Sequence, residues 1–75
     1  NKGISIYPNP IQNSLFIDHA EIGSRYEIID LQGRKVASGT VDAPLFYIDL
    51  SALSSGSYVI NVFGQSFQSS RFQKQ

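Results

Sequence analysis

The chain has 75 residues, six basic and six acidic side chains, a formal net charge of zero and no cysteine. That length allows one domain with a small core, in which folding buries only about 60% of the unfolded surface. A neutral chain without a long run of like charge lacks the basic patch of a nucleic-acid binder, a cysteine-free chain holds no disulfide or thiolate metal site, and no apolar stretch approaches the roughly 20 residues of a membrane helix.

Ile4-Ser5-Ile6-Tyr7 alternates apolar and polar residues and stops at Pro8. Pro8 and Pro10 carry no N–H, so a strand ladder breaks there. Ser14 to Ile17 reads as a second short strand, and the polar stretch Asp18 to Ser24, with Gly23, as a loop. Tyr26 to Leu31 is a third strand. Gln32-Gly33 then permits a tight reversal of type I′ or II′, because glycine tolerates positive φ. Arg34 to Thr40 returns as a fourth strand, with Val36 expected inward.

Asp42-Ala43-Pro44 marks the next break. Phe46 to Leu50 alternates again, with Phe46, Ile48 and Leu50 on one face. Ser57 to Phe63 is the longest strand, with Tyr58, Ile60 and Val62 on one face. Gly64-Gln65 turns the chain, and Ser66 to Phe72 closes it as a seventh strand. Phe67 and Phe72 differ in parity, so a bulge near Ser69-Ser70 is expected if both face inward. No segment sustains helical spacing. The pattern predicts an all-β, Ig-like or fibronectin-like Greek-key sandwich of about seven antiparallel strands. The domain is expected to span residues 1–75, with its core at about 4–74. The chain neither opens with a secretory leader nor begins with Met, so it is expected to be cut from a longer polypeptide.

Catalytic patterns do not converge. His19 stands alone, so a zinc site would need carboxylates only to complete it. Beside Asp18 it reads as a loop pair rather than a triad remnant. No Gly-rich phosphate loop occurs, and the scattered acids define no paired-carboxylate site. The chain is read as non-catalytic, with no cofactor and no metal.

Four blocks recur in a definite order. Tyr7-Pro8-Asn9-Pro10 is in bland terms a rigid strand crossing, and in functional terms a surface read by a partner. Gln32-Gly33-Arg34-Lys35 is a hairpin tip whose basic pair is either merely solvated or a contact projecting from a rigid scaffold. Leu53-Ser54-Ser55-Gly56-Ser57-Tyr58 looks like a tyrosine corner, in which a tyrosine hydroxyl reaches back to upstream backbone. Gly56 would give the turn and Leu53 would plug the core edge. Arg71-Phe72-Gln73-Lys74 ends the chain with an apolar residue expected to pack between two bases expected to stay wet.

In this order the blocks resemble the C-terminal sorting domain of type IX (Por) secretion cargo of Bacteroidota, type A, from about Ile4 to Lys74. Gln75 after Lys74 is a small departure from the family's ending. The resemblance implies an address label for a fused N-terminal cargo. The cargo would cross the periplasm, and the outer-membrane type IX translocon would read the label. A sortase-like signal peptidase would then commonly remove the domain, upstream of Ile4, leaving cargo on the cell surface or released. Arg71, Phe72, Lys74, Gly33, Arg34 and Lys35 are the candidate recognition residues, and Tyr7, Pro8, Asn9, Pro10, Leu53, Gly56 and Tyr58 the structural ones. The last strand, poor in apolar residues, is a candidate for β-augmentation with Arg71 and Lys74 fixing register. Open edges also leave a strand-mediated dimer available.

The alternative is a small adhesive or carbohydrate-binding sandwich, which would align Tyr7, Phe16, Tyr47 and Phe63 into a flat platform. A third reading is a structural spacer.

Overall fold

Period-2 alternation produces seven strands and no helix in the computed structural model, which describes residues 4–7, 11–43 and 45–75. They are β1 (Ser5–Tyr7), β2 (Ser14–Asp18), β3 (Arg25–Asp30), β4 (Lys35–Thr40), β5 (Leu45–Asp49), β6 (Gly56–Phe63) and β7 (Phe67–Lys74). Two sheets form, a three-stranded one in the order β1-β2-β5 and a four-stranded one in the order β4-β3-β6-β7. All ladder pairs are antiparallel. The expected Ig-like sandwich is therefore the observed architecture.

The inward faces supply the core. Leu15 and Ile17 from β2 meet Ile28 from β3 and Ile60 from β6, all fully buried, with Ile48 and Val62 beside them. Burying a side chain of this kind is worth about 1.5–3 kcal/mol, which is how so short a chain offsets its ordering entropy. The predicted inward faces of β5 and β6 are the observed ones, with Phe46 partly buried against the cluster. Four contributors lie outside the strands: Ile11, Ala20, Val41 and Leu50. Ile11 closes one end of the sandwich. Its N–H donates to the Gln73 carbonyl at 2.7 Å and its carbonyl accepts from the Gln75 N–H at 2.8 Å. This is a parallel bridge to Lys74, on the edge of β7 opposite β6.

Four expectations are corrected. Val36 is 36% exposed, not inward, because its neighbour Ala37 pairs with the buried Ile28 and shares its face, so alternation turns Val36 outward. Ile28 pairs with Ala37 and Ile29 with Lys35, so Val36 is the extra residue of a bulge. Phe67 is 60% exposed, and the β6–β7 register runs without a shift from Gly56↔Lys74 to Phe63↔Phe67, so no bulge near Ser69-Ser70 turns it inward. It packs instead against Phe63 on the outer face, with centroids 5.3 Å apart and planes tilted by 48°. The β3–β4 turn is neither I′ nor II′. Both need positive φ at the first central residue, and here only Gly33 in the loop has it, at 84°. Strand β7 reaches Lys74 rather than stopping at Phe72, because β6 begins at Gly56 and pairs with it as far as Lys74. Pro8, Asn9 and Pro10 lie outside the described residues; only Tyr7 of that block is placed.

Candidate functional site

The tyrosine corner forms as its residues require. The Tyr58 hydroxyl donates to the Ser54 carbonyl at 2.6 Å. Gly56 holds φ at 151°, where a side chain is disfavoured, and Leu53 packs half-buried against the core edge. Tyr58 is itself buried and stacks on Phe72 across the β6–β7 ladder, with centroids 5.7 Å apart. Phe72 is thus a core residue, 3% exposed.

The hairpin tip is organised by a residue that the motif reading passed over. Asp30 Oδ1 accepts from the backbone N–H groups of Gln32 and Arg34, both at 2.9 Å, and Oδ2 accepts from Arg34 Nε at 2.9 Å. The Arg34 N–H, aided by its guanidinium and by the Gln32 N–H, holds the Asp30 carboxyl below its ordinary range despite some desolvation. The sequence signal was present: an aspartate opening a turn that contains glycine is a recurrent side-chain-to-backbone cap.

Topology brings these blocks to one end of the four-stranded sheet. Strand β3 ends at Asp30 opposite Tyr58, β4 begins at Lys35, β6 begins at Gly56, and β7 ends at Lys74 opposite Gly56. A shallow cleft of about 250 Å³ lies between the tip and the corner, lined by Asp30, Arg34, Gly56 and Tyr58 among others. On the outer face the register aligns Lys35, Ile29, Val59 and Arg71 in one cross-strand row. Ile29 and Val59 are half-buried, Lys35 and Arg71 exposed. Lys35 lies 3.8 Å from Glu27, a distance at which an exposed pair holds little energy. The row is an apolar strip with a cation at each end.

Lys74 does not share that face. It is 6% exposed, so the expectation that both terminal bases stay wet holds for Arg71 and fails for Lys74. Strand alternation places Lys74 with Phe72 on the inner side, and its ammonium donates to the Gln75 carbonyl at 3.2 Å. The end of the β7 edge is also taken by Ile11, so Lys74 cannot set the register of an incoming strand there.

The four aromatics proposed for a platform divide between the sheets. Tyr7, Phe16 and Tyr47 form one row on the three-stranded sheet, while Phe63 lies on the other sheet against Phe67. Within the row, Phe16 stands 5.7 Å from Tyr7, stacked, and 5.9 Å from Tyr47, tilted by 38°. Rings that cover one another's faces do not present a flat stacking surface.

A family model described as a secretion system C-terminal sorting domain matches residues 5–74. No curated protein matches the chain. Among solved structures, the chain is similar to PorZ of Porphyromonas gingivalis, described as an essential bacterial surface component of the type-IX secretion system. The TM-score is 0.80 at 21% identity, covering 97% of this chain and 11% of PorZ. At that identity the likeness speaks for the fold.

Proposed function

The chain belongs to the family of secretion system C-terminal sorting domains, and on that premise we propose how its surface is read. It is a sorting signal for type IX secretion, which delivers cargo through the outer membrane to the cell surface or beyond. Its family is one of non-catalytic labels. The part that recognition would touch is the outer row Lys35–Ile29–Val59–Arg71, with Gly33 and Arg34 projecting beside it.

The observation that carries this reading is convergence. Three blocks far apart in sequence, the Gly-basic-basic tip, the tyrosine corner and the basic-apolar terminus, meet at one end of one sheet. Each has a separate task there. The Tyr58 hydroxyl ties the loop before β6 to that strand, the Tyr58–Phe72 stack joins β6 to β7, Asp30 rigidifies the tip, and Lys35 and Arg71 are left outside for a partner. Positioned cations on a rigid scaffold steer encounter and fix register more than they add affinity.

In this account the domain passes through the periplasm attached to an N-terminal cargo and docks on the outer-membrane translocon. A sortase-like peptidase then removes it, leaving the cargo attached or released. The type A assignment and the extent of the domain, residues 1–75, belong to the same proposal. The test fuses residues 1–75 behind a periplasm-directed fluorescent protein in a bacterium with a type IX system. Fluorescence on the surface or in the medium, lost in a translocon-deficient strain, is the expected result. Fluorescence held in the periplasm beside a folded domain would overturn it.

A further inference from the structure

We propose that the open edge of β5, with the groove beside it, is a second interaction surface that takes an extended basic-apolar segment of another polypeptide as an added strand. It is separate from the Lys35–Arg71 row and does not rest on the secretion role.

The pairing register makes the edge explicit. The Leu50 N–H donates to the Asn13 carbonyl at 2.7 Å, which sets the even residues of β5 toward β2. By strand alternation the N–H and carbonyl groups of Leu45, Tyr47 and Asp49 point away from the sheet. No described strand pairs with them. A groove of about 580 Å³ runs along this edge, lined by Tyr26, Asp42, Phe46, Tyr47, Ile48 and Asp49. Leu45 is 53% and Tyr47 60% exposed.

The other edges are blunted. Strand β1 has three residues and runs into Pro8; β4 carries Lys35 and the Val36 bulge; β7 carries Arg71, with its end covered by Ile11. Within Leu45–Asp49 there is no proline, lysine, arginine or register shift. An apolar edge without such devices is either an aggregation hazard or a binding site.

Charge identifies the occupant. Among the described residues every lysine and arginine lies on the four-stranded sheet or its β3–β4 turn. The three-stranded sheet carries Asp18 and Asp49, and Asp42 lies on the approach to it. The described part of the chain is thus polarised, and the β5 side calls for a partner with cations flanking its apolar positions. A second copy offering its own β5 would bring only carboxylates to this groove.

The experiment titrates the isotope-labelled domain with a short peptide alternating valine and threonine, with lysine at both ends, and follows backbone amide shifts by NMR. The expected shifts map to residues 45–49 and Asp42, with the Tyr47 and Asp49 amides gaining protection from exchange. Leu45→Lys and Tyr47→Lys, both at exposed positions, should each weaken binding about tenfold, as should glutamate in place of the peptide's lysines. Shifts mapping to β4 or β7 would overturn the proposal, as would equal binding of the acidic peptide or no shifts at millimolar peptide. So would concentration-dependent shifts at β5 without peptide, which would assign the edge to a second copy.

Discussion

Tyr58 and Phe72 are direct cross-strand partners, stacked at 5.7 Å with planes at 22°, and both are buried. One anchors the corner through its hydroxyl, and the other lies inside the terminal basic-apolar block. The end of the chain is therefore part of the core and not a free tail.

Phe72→Ala should cost about 3–5 kcal/mol, the usual range for a buried phenylalanine. A domain of this size has on the order of 4–11 kcal/mol in total, so the variant should lose from about a quarter to all of its stability. Tyr58→Phe keeps the ring and loses only the bond to Ser54, for a cost of about 1 kcal/mol. Urea unfolding of both variants checks the ratio. A truncation of residues 71–75 would share the fate of Phe72→Ala, so lost export in such a truncation does not separate reading from folding.

Gly39 is required by a neighbour. A Cβ there would sit 2.8 Å from the Tyr26 ring edge and hydroxyl. Gly39→Ala should destabilise by about 1–3 kcal/mol through overpacking. Combining it with Tyr26→Leu should cost less than the sum of the two single changes, because the smaller side chain removes the clash. Thermal unfolding of the three variants measures the coupling.

Acid sensitivity should report on the hairpin tip. The Asp30 carboxyl is held below its ordinary pKa chiefly by the Arg34 N–H. A group depressed in the folded state contributes stability that is fully present above its unfolded pKa of about 3.9 and lost as pH falls through the folded value. Asp30→Asn should thus lower the unfolding midpoint at neutral pH, with the gap to the parent closing below about pH 4. A gap that persists unchanged into acid would assign the cost to the amide's geometry and not to the charge.

Alternation and turn residues made the sandwich legible, since β5 and β6 follow strict period 2 and their inward faces are Ile48, Tyr58, Ile60 and Val62. The corner was legible because leucine, glycine and tyrosine have separate tasks at set offsets. What escaped the sequence was non-local. Val36 turns out because the register sets Ala37, not Val36, opposite inward Ile28, and the end of β7 that carries the buried Lys74 is bridged by Ile11, 63 residues earlier. The row Lys35–Ile29–Val59–Arg71 required the register of three ladders, which no single segment encodes. Asp30 was within reach, as an aspartate placed before a glycine turn.

The account turns on the exposed cations being read while the buried blocks hold the fold. The direct measurement is reporter export with Lys35→Glu combined with Arg71→Glu, alongside the unfolding midpoint of the isolated domain. The predicted result is a midpoint close to the parent's and fluorescence retained in the periplasm. Export at the parent level by the folded double variant would contradict it.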